Sequence, residues 1–530
     1  MKRVEASQPG PAVKAHSRGL AARRHASLAL AALLGVCSCD LAPAYRPPHY
    51  VLPANYKGSG PFTIAYPRDA LPRGPWWEWF GDTLLNQLEQ QLTAENPDLA
   101  ALAEQYTQAR DLAAEARSQL FPQIGASGLL SDNRQSQHKL FLAPNSTAPR
   151  EEASNVIQAT ASWEPDFWSA IRNSTRAQKR FAQASAALLA SARLSLQAEL
   201  ASDYIALRGL DTQEAVYRTS ITYYQKAVQI TMQRLQGRIS SALDVARSQG
   251  QLASTEALQS SNLASRALLE HAIAVLVNVN PSSFSIPVVE EARLAAPAVP
   301  VGLPSQLLER RPDVASGERQ MAAANAEIGV SRAAFYPNIT ISAAAGFEDN
   351  GFNLVSLPND LWTIGASAAL PLFEGGLRRA ELQRSWSQYA QARDTYRSTV
   401  LRAFQEVEDG LALTLYLQEQ MQQQAVAVRE AYKAQALTLQ LYIGGLTNYL
   451  DVVVAQETTL STRTVQVQVQ VSRLQAAVTL IRALGGGWST ADLPTENGVL
   501  PVGPLDHTDS GDQPRPDRAR QDTPAASNPS

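Results

Sequence analysis

The chain carries Gly237-Arg238-Ile239-Ser240-Ser241-Ala242-Leu243-Asp244-Val245 and, 207 positions later, Gly444-Gly445-Leu446-Thr447-Asn448-Tyr449-Leu450-Asp451-Val452. A glycine, a hydroxyl three residues on and a Leu-Asp-Val six residues on recur in register, and Gln249 and Gln456 extend the match. Arg172 and Arg379, and Glu199 and Glu406, share the same spacing. Upstream, Asn96-Pro97-Asp98-Leu99 returns as Arg311-Pro312-Asp313-Val314, 215 positions apart. Arg117 to Ile124, centred on Phe121-Pro122, returns as Arg332 to Ile339 at that same offset. The eight residues that separate the two offsets lie between Ile124 and Arg172, most simply in Ser131 to Glu152. A length change confined to one stretch is how a loop behaves. The chain is therefore an internal duplication, and each half is one structural unit.

Each half opens with period-two segments. Ile339, Ile341, Ala343, Ala345 and Phe347 alternate with small or polar residues, as do Trp362, Ile364, Ala366, Ala368, Leu370 and Leu372. Ile157, Ala159, Ala161 and Trp163 do the same, and Ile124, Ala126, Gly128 and Leu130 do so more weakly. This is the strand signature, and a tilted strand of about ten residues crosses a bilayer. Ser131 to Glu152 and Glu348 to Asp360 read as loops. There are 31 prolines, yet none falls between Asp166 and Asn280 or between Leu372 and Leu493. These two stretches are rich in good helix formers. Arg172 to Gln236 as one helix would span roughly 100 Å. One continuous helix and several shorter ones broken near Gly209 both fit the pattern. Gly237 and Gly444 fall at the helix ends, where glycine tolerates positive φ. A returning helix follows each turn, over Leu243 to Val279 and Leu450 to Leu484.

The N-terminus is basic, with an apolar run from Ala26 to Val36, and Val36-Cys37-Ser38-Cys39 fits a lipobox with Cys39 as the lipid-bearing residue. Removal of residues 1–38 takes away six positive charges and one negative, moving the formal charge from -3 to -8. That balance argues against a nucleic-acid partner. At 45% hydrophobic and 18% charged residues, the composition excludes wholesale disorder. Two cysteines one residue apart cannot staple a fold. The six histidines show no metal-ligand spacing, and no nucleophile elbow or phosphate loop is present. His271, in a helical stretch, is expected to be a packed residue. Glu406 and Glu408 are expected to be ordinary helix surface. No metal, no cofactor beyond a covalent lipid on Cys39, and no catalysis are expected.

Four strands cannot close a membrane barrel, since the smallest have about eight. An open sheet in lipid would leave its edges unsatisfied. Strands must be shared between copies. This combination resembles the outer-membrane efflux protein family, the TolC-like channels, and within it the NodT-type lipoproteins. The residues that carry the resemblance are Cys39 to Pro47, Trp76-Trp77-Glu78-Trp79-Phe80-Gly81-Asp82, Gly302 to Val314 with Ala333 to Pro337, and Gly444 to Val452 closing at Gly485-Gly486-Gly487-Trp488.

The resemblance implies a mainly helical chain with membrane β-structure. It implies a homotrimer whose twelve strands form one barrel, continued by a long periplasmic α-helical barrel. It implies an exit duct for drugs or other small molecules, fed through a periplasmic adaptor by an inner-membrane transporter of the RND type. It places adaptor docking at Gly237, Ser240, Asp244, Gly444, Gly445, Leu446 and Thr447, and the pore gate at Leu450 and Asp451. A duct for protein secretion, and a lipid-anchored periplasmic coiled-coil scaffold without a pore, are the other readings. Departures from the family pattern are Arg238 opposite Gly445, Val454 at a position that elsewhere carries an acid, Ser169 opposite Gly376, and Asp40 directly after Cys39. The expected organisation is a signal peptide over 1–38, an anchored segment over 39–95, and repeat 1 over 96–290. In repeat 1, strands fall near 121–134 and 154–168 and long helices over 169–280. A linker follows over 291–311, then repeat 2 over 312–488, with strands near 337–349 and 362–374 and long helices over 375–484. The tail over 489–530 is expected to be disordered.

Overall fold

The computed structural model describes residues 39–48, 57, 75–134, 136, 151–290, 294, 296–297, 299, 310–351 and 354–500. The expected signal peptide, most of the linker, most of the first inter-strand loop and residues 501–530 lie outside the described residues. A 3-10 turn at Trp76–Phe80 leads into α1 (Thr83–Glu95) and α2 (Pro97–Ser118). Strands β1 (Gln123–Arg134) and β2 (Glu151–Trp163) precede α3 (Ala170–Gln236) and α4 (Ala242–Leu276). The second half repeats this as α5 (Pro312–Ala333), β3 (Asn338–Asp349), β4 (Asp360–Ala369), α6 (Leu377–Ile443) and α7 (Tyr449–Ala483).

The sheet is antiparallel in the order β1-β2-β3-β4. Its register sets Ile124 opposite Ala161, Ala161 opposite Ala343, and Ala343 opposite Ile364. All four apolar stripes of the sequence therefore share one face, because side chains on neighbouring strands at paired positions point the same way. Trp362 is 73% exposed and Ile364 71% on that face. Nothing else among the described residues covers it, as expected of a surface that meets lipid. β1 and β4 are both open edges. β2 and β4 are displaced toward their N-terminal ends relative to expectation, ending at Trp163 and Ala369 rather than near 168 and 374. Pro165 and Pro371 follow closely, and proline has no N–H to give the ladder.

Below the sheet, the helices pack side by side as a layer. α2 packs on α3, α3 on α5, and α5 on α6 in the upper part. Farther down, α4 packs on α3, α3 on α7, and α7 on α6. Each half thus supplies one long helix and one column made of two short helices end to end. α3 and α6 are each 67 residues long and unbroken, which decides between the two sequence readings. Gly209 does not break α3. A Cβ there would lie 2.2 Å from Val471 Cγ2, so the glycine serves the close approach of α7. The motif Arg311-Pro312-Asp313 starts α5 and ties it down. Arg311 donates twice to Asp313 (3.0 and 2.7 Å), and its Nη1 donates to Glu406 (2.7 Å) and the Ala483 carbonyl (3.0 Å). Glu406 is thus an ion-pair partner, not plain helix surface. His271 is exposed rather than packed, being turned away from the α3 contact.

The N-terminal segment lies as a strap over α3 and α5. Asp40 accepts from Ala42 N (3.1 Å), Asn173 Nδ2 (3.0 Å) and Arg176 Nη1 (2.9 Å), and these donors hold its carboxyl below the ordinary range against the opposing effect of burial. Arg332 donates to the Leu41 carbonyl, Asn325 to that of Pro43, and Tyr45 to Glu318. A Cβ on Gly329 would lie 2.8 Å from Ala42 Cβ and 2.5 Å from Asn173 Nδ2, so only glycine admits the strap. Farther along, Trp76, Trp77 and Phe80 join α1, α3, α4 and α7 in the largest apolar core. The expectation of disorder after 488 fails for 489–500. Val499 is fully buried, its carbonyl accepts from Arg110, Gln183 donates to the Pro494 carbonyl, and Arg180 pairs with Glu496. The polar composition of this stretch hides one apolar anchor and a set of main-chain acceptors.

Glu89 of α1 is fully buried, and neither carboxylate oxygen has a partner among the described residues. Desolvation raises its pKa well above 4.5. The folded chain holds it neutral while the unfolded chain ionises it, so the folded state is favoured below about pH 4.5 and loses that advantage as pH rises toward the folded value. Glu89→Gln should raise the thermal midpoint at pH 8, by a change worth about 1–3 kcal/mol, and the gain should close as pH approaches 4.5. An unchanged midpoint at pH 8 would show that the site is hydrated.

Candidate functional site

The two turns that join long and returning helices sit at the end of the molecule farthest from the sheet. Each is a Schellman closure. At the second, Leu446 N donates to Leu441 O (2.9 Å) and Gly445 N to Tyr442 O (3.0 Å). At the first, Ile239 N donates to Arg234 O (2.8 Å) and Arg238 N to Leu235 O (2.9 Å). This pattern needs a left-handed residue just past the helix cap. That residue is Gly445 (φ 75°) and, in the first turn, Arg238 (φ 58°). Gly237 and Gly444 are not the positive-φ positions, having φ of -74° and -72°. The sequence expectation falls one residue early, because the cap residue itself still has near-helical geometry. Arg238 carries a cost of about 1–2 kcal/mol that Gly445 avoids.

The hydroxyls and acids of the repeated motif meet within each turn. Ser240 Oγ donates to Asp244 Oδ2 (2.6 Å), and Asp244 N donates to Ser241 Oγ (3.3 Å). Thr447 Oγ1 donates to Asp451 Oδ2, and Asp451 N donates to Asn448 Oδ1 (3.1 Å). Ser241 and Asn448 are the N-caps of α4 and α7, and both acids lie in the first turn, where the helix dipole favours negative charge. The spacing that recurs in the sequence is thus first a capping device. Leu446, Leu450 and Asp451 remain exposed.

The structure also brings the two turns of one chain together through residues the sequence reading missed. Arg234, near the end of α3, stacks its guanidinium 4.7 Å from the centroid of the Tyr442 ring and donates to the Ile443 carbonyl (3.1 Å). The Tyr442 hydroxyl lies 3.4 Å from Ser240 Oγ, and its ring packs edge-on against Tyr449. Tyr442 precedes the repeated motif, and its counterpart in the first half is Leu235, so the repeat carried no signal for it. Cys39 is exposed at the start of the strap. Among the described residues, no group of three His, Cys, Asp or Glu could hold a metal ion, and no helix is long and apolar enough to cross a membrane.

An open four-stranded sheet with one apolar face, carried on helices of about 100 Å, defines a protomer of a channel that is completed by other copies. The outer membrane efflux protein profile matches residues 88–278 and 303–486, and the chain belongs to that family. The family is one of outer-membrane channels reaching into the periplasm, not of enzymes. The chain is 29% identical to the pyoverdine export outer membrane protein OpmQ of Pseudomonas aeruginosa, over 86% of this chain and 95% of that protein. It is 30% identical to the solvent efflux pump outer membrane protein SrpC of Pseudomonas putida, over 88% and 99%. The outer-membrane channel OprN superposes with a TM-score of 0.78 at 27% identity, over 85% of this chain and all of that one.

Proposed function

We propose that this protein is the exit duct of a tripartite efflux system, passing small molecules across the periplasm and the outer membrane. The observation that carries the reading is the coincidence of open edges. β1 and the α2/α4 column lie on one side of the protomer, and β4 and α6 on the other. A heterologous contact of one side with the other closes a ring. Three copies give twelve strands and a continuous helical tube below them. The names of the relatives, which cite pyoverdine export and solvent efflux, favour small molecules over secreted proteins. A scaffold without a pore leaves the apolar sheet face and both edges unexplained.

In this reading the turns at Gly237, Ser240 and Asp244, and at Gly444, Gly445, Leu446 and Thr447, meet a periplasmic adaptor. The adaptor in turn engages an inner-membrane transporter of the RND type. Leu450 and Asp451 narrow the pore, with three Asp451 carboxylates forming a ring that favours cations. Cys39 bears a covalent lipid that holds the strap at the membrane. The test is the mass of the detergent-solubilised protein by light scattering, with bound detergent subtracted. Three chains are expected. A stable monomer would overturn the duct, since its sheet could not close.

A further inference from the structure

The strap and a groove between α5 and α6 lie on opposite faces of α5. Glu318, Asn325 and Arg332, seven residues apart, hold the strap. Gln320, Glu327 and Ser331, about half a helical turn away, line the groove with Glu381, Arg384 and Phe181. A strap that leads to a lipid anchor must lie outside a ring, so the groove opens to the lumen. This placement rests on the duct reading above. The groove encloses about 780 Å³, the size of a drug-like ligand.

Its chemistry is specific. Glu327 has no hydrogen-bond or ion-pair partner among the described residues, and burial pushes its carboxyl above the ordinary range. Arg384 stands in the lining, but no ion pair joins it to Glu327 or Glu381. Phe181 is 40% exposed and turns part of its ring to the groove. The rest of the lining mixes small apolar residues such as Ala324 and Ala392 with neutral polar ones such as Gln388, Gln391 and Thr395. We propose that this groove is a lumenal subsite for organic monocations with an aromatic or apolar body, with Glu327 meeting the charge and Phe181 the body. An unpaired carboxyl in a partly desolvated cleft gains more from an incoming cation than one in open water. Binding is weak, as passage requires, because a tight site would retain its cargo.

The probe is ethidium, an aromatic cation whose charge does not titrate. The full chain is held in lipid nanodiscs and binding is read by fluorescence anisotropy at pH 5.5 and 8. Charged and titratable groups around Glu327 are Glu381 and Arg384 on α6; α3 contributes only Phe181 to the lining. Wild type should bind saturably and more tightly at pH 8. Glu327→Gln should weaken binding roughly tenfold, the scale of one partly buried charge contact, and flatten the pH dependence. Phe181→Ala should weaken binding but keep the pH dependence. Wild type without saturable, pH-dependent binding, or Glu327→Gln with the wild-type profile, overturns the subsite. If that happens in a protein of three chains by light scattering, the duct stands without it. A monomer mass overturns the duct, and the subsite with it.

Discussion

Asp211→Ala should be among the most destabilising single changes in the chain. The Asp211 side chain is fully buried and accepts from Arg208 Nη1 (2.9 Å) and Arg266 Nε (2.7 Å). Those arginine side chains are only 4% and 11% exposed. Arg208 also donates to the Tyr204 hydroxyl and the Pro287 carbonyl, and Arg266 to the Ile286 carbonyl and Glu270. Tyr204 in turn donates to Asp82, which caps α1 through Leu84 N and Leu85 N. One carboxylate therefore joins the N-terminal segment, α3, α4 and the chain after α4. Removing it leaves two buried guanidiniums facing each other. Breaking a buried pair in this way costs about 3–5 kcal/mol. The thermal midpoint should fall steeply, and amide exchange should rise first over 266–289, where α4 and its following segment depend on Arg266. Asp211→Asn keeps one of the two acceptor oxygens and should cost less. A midpoint unchanged in Asp211→Ala would mean that water solvates the arginines.

That network was not legible in the sequence. Asp211, Arg266 and Val289 are held together by tertiary packing alone, and the second half carries Gln418 where the first has Asp211. An amide at that place in the repeat gives no hint of a buried carboxylate in the other half. What the sequence does carry is periodicity. The four apolar stripes set which face each strand shows, and the register aligned them all, because a period of two leaves no freedom once neighbours pair. The proline-free stretches marked the long helices but not their continuity. Gly209 would break a lone helix on propensity, and only the neighbour Val471 explains why it does not. At the turns the repeat pointed to the right segments and mislocated the strained residue by one. Asp451 stands out for a pore role and Asp244 for docking, yet the partners of both within the chain lie in their own capping turns. The proposed ring of three Asp451 would be a property of the assembly, and one chain's sequence carries only its capping grammar.

Unlinking the two turns should open the pore. Arg234 and Tyr442 join the lower ends of α3 and α6 by a cation–π contact and a main-chain hydrogen bond, with Ser240 near the Tyr442 hydroxyl. Such a contact contributes about 0.5–2 kcal/mol, and the hydrogen bond about 0.5–1.5. Roughly 2 kcal/mol per chain, acting together in three chains, is of the order of 6 kcal/mol. A shift from one open channel in a hundred to ninety-nine needs about 5.5 kcal/mol. The joint is thus of the right size to hold the tips closed, provided that it is lost when they spread. Arg234→Ala with Tyr442→Phe should raise single-channel conductance in planar bilayers several-fold. Each single change should have a smaller effect, and the excess of the double over their sum measures the coupling. Since neither residue touches the sheet, barrel insertion and oligomeric mass should be unchanged. Wild-type conductance from a properly inserted double variant would show that the joint persists in the open channel, and closure would then be left to the gate proposed at Leu450 and Asp451.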